Sequence, residues 1–318
     1  MRALACALAL VCPLPSAAQQ PAYPARPIRI IVGFPAGSGT DMLARFIGGK
    51  LTERMAQQIV VDNRPGANGI IASELTVKAA PDGHTVQFMS TSHTMNAAVY
   101  KLPFDPVRSF TPVMQLGAGP LVLVAHPAFP ARSAQGLIDL ATAKPDTVTY
   151  AISGTGGVNH FAGALFARLT GVRLINVPYK GGPQALTDLI GGQVQVMFGT
   201  AAITLAQVRA GRLKALGVSS AQRTPLLPDV PTIAESGAPG YDMSIWWGVL
   251  APAGMPAALV ARLNAEIGGI LAQPESAQRL AAEGAEPSPV AGAAFTRLLS
   301  AEVEKWTRVA REANIKVD

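Results

Sequence analysis

A glycine-rich loop near the N-terminus, called loop A (residues 34–41), has residue types and spacing that could bind an anion. It follows a short apolar run and precedes apolar residues at helical spacing, so we expect it to connect a strand to a helix. Glycine lets the backbone approach a ligand, Ser38 and Asp41 form a capping-box pattern, and the helix end offers free N–H groups and a positive dipole. The alternative is an ordinary turn that binds nothing. The candidate ligand-binding residues of loop A are Phe34, Ala36, Gly37, Ser38, Gly39, Thr40 and Asp41.

A second loop of the same kind, called loop B (residues 153–160), follows another apolar strand. The helix after it has regular i, i+3, i+4 apolar spacing. Two such loops, one in each half of the chain, are a more specific signal than either loop alone, because a cleft closing on both could hold an anion at each end. The candidate ligand-binding residues of loop B are Ser153, Gly154, Thr155, Gly156, Asn159 and His160.

Other candidate residues follow strands outside these two loops. A loop containing Thr91, Ser92 and His93 offers neutral donors after a strand. Lys180 could face an acidic ligand, although a solvated surface lysine is the alternative. Gly199 follows a strand of the second half, and Trp246 lies in an apolar segment that is predicted to be a strand.

Motifs for catalysis, metals and cofactors are missing from the sequence. The four histidines show no metal-binding pair, and the hydrolase elbow GxSxG would need glycine where Ala36 stands. Loop A contains neither GxGxxG nor a phosphate-binding Gly-Lys-Ser/Thr, and no dense carboxylate cluster indicates a metal site. We therefore predict a binding protein without catalytic residues, metal or cofactor. An exported enzyme is a further hypothesis, which would require turnover of a bound compound.

The first residues have the layout of a cleavable secretory signal. Arg2 precedes an apolar run, and small residues follow up to Ala18, so we predict a signal peptide over residues 1–18 and a periplasmic mature protein. Both cysteines, Cys6 and Cys12, lie in this segment, which leaves the mature chain without disulfides. A lipid anchor at Cys12 is the alternative, but the bulky Val11 precedes it where a small residue is expected.

The charge pattern argues against a nucleic-acid partner. The chain has a formal net charge of +6, but its 26 Lys and Arg residues are scattered, and aromatic residues make up only 6%. A nucleic-acid-binding protein would normally concentrate its basic residues on one face or add aromatic stacking platforms. We therefore predict no nucleic-acid partner.

The order of elements predicts an α/β fold with two domains. Strands and helices alternate up to residue 89 and again from residue 148, which implies parallel sheets with right-handed crossovers. Separate apolar strands are predicted near Val113 and over 121–125, and the last residues are predicted to be helices that pack on the first domain. We expect residues 19–121 plus 250–318 in one domain and 122–249 in the other. Each domain would be a mainly parallel sheet flanked by helices, with the ligand cleft between the domains.

Several long segments occur together along almost the whole mature chain, from about Tyr23 to Lys316. They include YPARPIRIIVGFPAGSGTDMLAR, VVDNRPGANG, LPFDPVRSFTPV, LPDVPTIAESG and WWGVLAPAGMP. In these segments the chain resembles the substrate-binding proteins of tripartite tricarboxylate transporters, also called Bug receptors. One departure concerns the position after Met197-Phe198, where relatives often have Asp and this chain has Gly199.

The resemblance implies a type II-like periplasmic binding fold that closes on its ligand like a Venus flytrap. It also implies a monomeric receptor that captures a small organic anion, a mono- or dicarboxylate, and delivers it to the membrane permease subunits of a tripartite transporter. Such proteins hold carboxylates with backbone N–H groups, small hydroxyl side chains and water, in agreement with the residues of loops A and B. The alternative function is a periplasmic sensor that presents the bound carboxylate to a signalling kinase.

Overall fold

The computed structural model describes residues 23–317, so the predicted signal peptide, its cleavage site, Cys6 and Cys12 lie outside the described residues. The strands alternate with helices along most of the chain. The strands are β1 (Ile28–Val32), β2 (Ile59–Asn63), β3 (Thr85–Ser90), β4 (Phe110–Ala125), β5 (Thr149–Ile152), β6 (Ile175–Pro178), β7 (Val196–Thr200), β8 (Lys214–Val218), β9 (Ser244–Pro252) and β10 (Glu286–Ala291).

The helices cover the faces of the sheet. They are α1 (Gly39–Met55), α2 (Ile70–Val77), α3 (Ser92–Val99), α4 (Ala134–Ala143), α5 (Val158–Thr170), α6 (Gly182–Ile190), α7 (Ala201–Arg209), α8 (Ala257–Leu271), α9 (Pro274–Ala282) and α10 (Gly292–Glu312), with a short 3-10 turn over Ala67–Gly69 before α2. None of the helices in residues 23–317 is long and apolar enough to cross a membrane.

The strands form one continuous sheet in the order β2-β1-β3-β9-β4-β7-β5-β6, with β8 and β10 also paired to β4. We call the end with β2, β1 and β3 lobe 1 and the end with β7, β5 and β6 lobe 2. The strands within each of these groups are parallel, whereas β4 and β9 run antiparallel to their neighbours. The α/β class with two sheet-and-helix units is confirmed, and the strands that join the units make the sheet mixed.

The separate strands predicted near Val113 and over 121–125 are one strand, so this prediction is wrong. β4 pairs with β9 and β10 in its first part and with β7 and β8 in its second part. Proline and glycine inside β4 suggested a break, but register shifts after Pro112 and Gln115 absorb the irregularity. Gly119 also allows a close backbone approach, because a Cβ there would lie 2.0 Å from the carbonyl oxygen of Gly284.

The prediction that the C-terminal region is entirely helical is also wrong. Strand β10 lies between α9 and α10 and pairs antiparallel with β4. Its sequence, EPSPVA, contains two prolines, which cannot donate ladder hydrogen bonds and therefore hid the strand. Residues 92–94, predicted as a loop, form the first turn of α3. Short polar residues at helix starts also occur in turns, so their composition alone did not distinguish the two structures.

Helix α10 packs on both lobes rather than on the first alone. Phe295 and Leu299 belong to a core cluster with Trp246 of β9. Farther along the helix, Trp306 contacts the ring of Phe161 on α5 in the core of lobe 2. A helix of 21 residues is about 30 Å long at 1.5 Å per residue, so α10 reaches across the junction. Helices α8 and α9 pack on lobe 1, as the sequence predicts.

Candidate ligand-binding site

A cleft with a volume of about 330 Å³ lies between the lobes. Loop B and the first residues of α5 form its wall in lobe 2, together with Thr200 at the start of α7. The wall in lobe 1 is built from the ends of β1 and β3, the first residues of α1 and α3, and the turn before α2, while β9 contributes one residue at the junction. The lining residues are Phe34, Thr40, Asn68, Ser90, Ser92, Ser153, Gly154, Thr155, Gly157, Val158, Asn159, Thr200 and Ile245.

Loop B keeps its shape through the side chain of Asn159. Ser153 Oγ donates a hydrogen bond to Asn159 Oδ1 over 2.5 Å, and Asn159 Nδ2 donates to the carbonyl oxygen of Phe198 on β7. Asn159 is buried, and burying its amide is favourable only with such partners. One side chain thus ties the loop to the neighbouring strand.

The backbone of loop B points polar groups into the cleft. Gly154 has a φ of 143°, a conformation that L side chains rarely adopt, and nothing lies within 4 Å of the position where a Cβ would be. Within the described residues, the N–H groups of Gly154 and Thr155 have no protein acceptor. These groups and the exposed Thr155 side chain are suited to receive an anion just before α5 begins.

His160 lies behind loop B and does not line the cleft. The backbone N–H of Gly156 donates to His160 Nδ1 over 3.2 Å. Since Nδ1 must be unprotonated to accept this bond, the neutral ring carries its proton on Nε2. Burial lowers the pKa of His160, which favours this neutral form. His160 and Gly156 therefore position the loop from behind.

Loop A uses most of its polar groups internally. The buried carboxylate of Asp41 accepts hydrogen bonds from Gly37 N over 2.8 Å, from Asn63 Nδ2 over 2.8 Å and from Arg45 Nε over 3.0 Å. Burial by itself would raise the pKa of Asp41, but hydrogen bonds from Arg45, Gly37 and Asn63 hold it below its ordinary value. Asp41 is therefore an ionised structural anchor of the loop.

The cap predicted for α1 is confirmed, since Ser38 Oγ accepts the N–H of Asp41 over 3.3 Å. Ala36 and Gly37 are exposed at the tip of loop A and do not line the cleft. Gly39 begins α1 against another part of lobe 1, because a Cβ on Gly39 would lie 2.3 Å from Glu283 Oε2. Phe34 and Thr40 are the residues of loop A that reach the cleft.

The other predicted residues lie mostly in the core. Ser92 lines the cleft, whereas Thr91 is fully buried and its Oγ1 accepts the N–H of Trp246 over 2.7 Å. His93 is buried between Ser73 Oγ, at 3.2 Å from Nδ1, and the carbonyl oxygen of Pro106, at 2.8 Å from Nε2. Burial lowers the pKa of His93 to about 4, although the bond to Pro106 opposes this.

Lys180 and Gly199 also lie outside the cleft lining. Lys180 is exposed, and its backbone N–H donates to Gln184 Oε1 over 3.2 Å. At Gly199 a Cβ would lie 2.4 Å from the γ-methyl carbon of Thr204, which is itself fully buried. A larger side chain at Gly199 would therefore press against the buried Thr204.

Several lining residues were not predicted from the sequence. Asn68 follows the Arg64-Pro65-Gly66 turn after β2, and Thr200 ends β7 just before α7. Both lie where a strand leads into a helix, which is the signal that selected loops A and B. Val158 and Ile245 are apolar and gave no such signal. The remaining unpredicted lining residues are Ser90 and Gly157.

A larger groove of about 410 Å³ lies on the outer side of lobe 2. The arginines that line it are already paired, Arg168 with Glu312 and Arg173 with Asp146 at 2.7 Å. The cleft between the lobes fits an anionic ligand better, because polar groups of both lobes line it and the N–H groups of Gly154 and Thr155 lack a protein acceptor among the described residues. Within residues 23–317, no group of three or more His, Cys, Asp or Glu side chains is placed to hold a metal ion.

Comparison with known proteins identifies the family of this chain. Residues 43–315 match the family model described as the tripartite tricarboxylate transporter family receptor. This chain belongs to that receptor family. The chain is 38% identical to a protein of Pseudomonas sp. strain P51 named for the tcbD-tcbE intergenic region, over 98% of this chain and 94% of that relative.

Solved structures of family members share the fold. The periplasmic binding protein BugD is 32% identical, with a TM-score of 0.78 over 93% of this chain and 100% of that chain. The R. palustris protein Rpa4515, solved with adipate, is 35% identical, with a TM-score of 0.81 over 93% of this chain and 100% of that chain. The receptor family and its two-lobed fold, inferred from the sequence segments, are thereby confirmed.

Proposed function

We propose that this receptor captures a small mono- or dicarboxylate between its lobes and delivers it to the membrane subunits of a tripartite transporter. The observation that carries the proposal is the lining of the cleft, where unpaired N–H groups of loop B face hydroxyl and amide groups of lobe 1. Hydrogen bonds to a charged group contribute roughly 1.5 to 3 kcal/mol each, so several neutral donors replace an arginine. The adipate complex of Rpa4515 supports a carboxylate ligand.

The residues proposed to contact the ligand are those that line the cleft. On this proposal the loop B donors meet one carboxylate, and Thr40, Asn68, Ser90 and Ser92 offer polar groups on the opposite wall. The cleft volume of about 330 Å³ is at the lower end of the range for small-molecule sites, roughly 300 to 1,000 Å³. This volume supports a small carboxylate as the ligand.

A thermal-shift screen of the mature protein against organic acids tests this function. Each acid is paired with an uncharged analogue of the same length, for example adipate with adipamide. A ligand at 100 times its Kd stabilises the folded state by about 2.7 kcal/mol, so the melting temperature rises with the acid and not with the amide. Equal shifts for both compounds, or conversion of the acid to a product on chromatography, would contradict a carboxylate receptor.

We also propose that the mature protein is a periplasmic monomer without catalytic activity. Intact-mass analysis of periplasmic extract is expected to give a cysteine-free chain starting close to Gln19, whereas a lipid-modified Cys12 would contradict a soluble receptor. Uptake of the acid should be lost on deleting either the receptor or the membrane subunits. Unchanged uptake together with a lost transcriptional response would favour the sensor role instead.

A further inference from the structure

The cleft lining contains no ionisable side chain among the residues that the structure describes. Its polar groups are hydroxyls of Thr40, Ser90, Ser92, Ser153, Thr155 and Thr200 and the amides of Asn68 and Asn159. The Asn159 amide is already committed to Ser153 and Phe198. Asn68 Nδ2 donates to Asn96 Oδ1 over 3.0 Å, and the hydroxyls of Ser90 and Ser92 are hydrogen-bonded to each other over 3.0 Å. The cleft thus offers neutral donors to an anion but no carboxylate to a cation.

Two carboxylates close to the start of α1, those of Asp41 and Glu283, do not line the cleft. Asp41 is 1% exposed and holds three hydrogen-bond donors. Glu283 lies against Gly39, which does not line the cleft, and Arg279 is 3.9 Å from it. Burial raises the pKa of the partly buried Glu283, with Arg279 opposing this.

A ligand ammonium group would lose its hydration in this cleft without gaining an ion pair. Transfer of a charged group out of water is costly unless it is paired and hydrogen-bonded. A carboxylate recovers that cost from the N–H and O–H donors of the lining, whereas an ammonium would meet only neutral oxygen acceptors and no carboxylate. Three apolar side chains, Phe34, Val158 and Ile245, occupy much of the remaining wall and would contact a hydrocarbon segment favourably.

We propose that this receptor selects carboxylates that lack an amino group and carry a hydrocarbon segment, and that it rejects the corresponding amino acids. The inference rests on the proposed function and specifies the ligand class of the same cleft. The neutrality of the lining determines this selectivity, and Thr200, at the start of α7, is a lining position where a charge can be introduced.

Calorimetric titration with matched acids tests the selectivity. Adipate is compared with 2-aminoadipate, and glutarate with glutamate, since each pair differs only by the ammonium group. We expect the unaminated acid of each pair to bind about tenfold tighter or more, which is the effect of one lost charge-assisted interaction. Equal or tighter binding of the amino acids would overturn the selectivity while leaving the carboxylate receptor intact. Absence of binding by all acids would overturn both proposals.

Two variants at Thr200 differ in charge but both keep a residue that is favourable at a helix N-cap. One adds a negative charge to the cleft and the other leaves the cleft neutral. Thr200 occupies the N-cap of α7, where Asp and Asn are both favourable residues. Thr200→Asp is expected to weaken binding of adipate and to shift the adipate to 2-aminoadipate affinity ratio by about tenfold towards the amino acid. In Thr200→Asn, the neutral control, any change of affinity should be the same for both acids, so the affinity ratio should remain that of the unaltered protein.

The two Thr200 variants also separate a folding defect from a change in selectivity. Circular dichroism and the melting temperature of the ligand-free protein identify a folding defect that both variants would share. A ratio that stays the same in Thr200→Asp, in a folded protein that still binds adipate, would overturn the role assigned to neutrality. Glu283→Gln is a second test. A changed ratio of adipate to 2-aminoadipate affinity in that variant would show that the charge of Glu283, and not the neutrality of the lining, determines the selectivity.

Discussion

Loops A and B have similar sequences and different roles in the folded protein. In loop A, Asp41 accepts hydrogen bonds from the N–H of Gly37 and from the side chains of Arg45 and Asn63, so these donors are not free to bind a ligand. In loop B, the N–H groups of Gly154 and Thr155 remain without a protein acceptor in the described structure. The comparison teaches that an anion-binding sequence pattern becomes a binding site only where nearby residues leave its donors unpaired.

Two histidines, His93 of lobe 1 and His160 of lobe 2, also have different roles. His93 is fully enclosed in lobe 1, where its ring nitrogens face Ser73 and the carbonyl of Pro106. His160 in lobe 2 accepts a backbone N–H of the ligand loop through its Nδ1. We therefore expect His93 to govern the stability of the fold, and His160 to act on the shape of loop B.

The largest expected effect is the acid sensitivity that His93 gives to lobe 1. Its pKa is about 4 in the folded protein and 6.5 ordinarily, so the unfolded chain takes up the proton first as pH falls. Its contribution to the free energy of unfolding is fully present above pH 6.5 and is lost as pH falls towards 4, by about 3 kcal/mol at 1.36 kcal/mol per pKa unit.

Urea unfolding of the protein and of His93→Gln between pH 7 and 4 measures this contribution. The variant is expected to be less stable at pH 7 and to lose less stability on acidification. Other groups titrate in the same range. The quantity to compare is therefore the difference between the two proteins in how steeply the free energy of unfolding changes with pH. Parallel slopes would show that His93 is not the acid-sensitive group of lobe 1.

Matched glycine substitutions test the contrast between the loops. Gly154 and Gly37 both have positive φ, and a Cβ on either would meet nothing within 4 Å, so Ala introduces backbone strain of about 1 to 3 kcal/mol at both sites. Gly154→Ala displaces donors that face the cleft and is expected to lower ligand affinity about tenfold or more. Gly37→Ala should lower the free energy of unfolding and leave affinity within about twofold. A comparable loss of affinity in both variants, measured by calorimetry, would contradict the division of roles.

Hydroxyl deletions give a smaller effect of the same sign. Thr155→Ala removes a cleft-facing hydroxyl and is expected to weaken carboxylate binding about tenfold, the value of one hydrogen bond to a charged group. Ser38→Ala removes the cap of α1 and should cost about 1 kcal/mol of unfolding free energy without a change in affinity. Titration and thermal unfolding of both variants decide this, and an affinity loss confined to Ser38→Ala would reverse the comparison.

The smallest effect is expected at Lys180, which is exposed and does not line the cleft. Lys180→Ala should change affinity less than about twofold, because a solvent-screened charge outside the site contributes little. Titration at low and at high salt provides the control. A tenfold loss that disappears in high salt would show that Lys180 forms a salt bridge with the ligand on closure of the lobes.

Local sequence determined the position of the candidate loops and the order of elements apart from β4, which was predicted as two strands, and β10, which was not predicted. The cap at Ser38 could be predicted, because it depends on residues within one helical turn. Thr155 and Gly154 could be proposed as donors for the same reason: they lie between a strand and a helix. The neutral chemistry of the cleft was likewise visible in the residue types of loop B and of Ser92.

Tertiary structure decided which of these residues face the cleft and how the lobes are joined. Asp41 is engaged by Asn63, and Asn159 by the carbonyl of Phe198, through contacts between residues far apart in the chain. The continuity of β4 depends on pairing with strands from both lobes, which outweighs the local signal of its prolines and glycines. Hydrogen-bond satisfaction and strand pairing are properties of the whole fold, so a local pattern predicts a capacity to bind, and the fold determines whether that capacity is used.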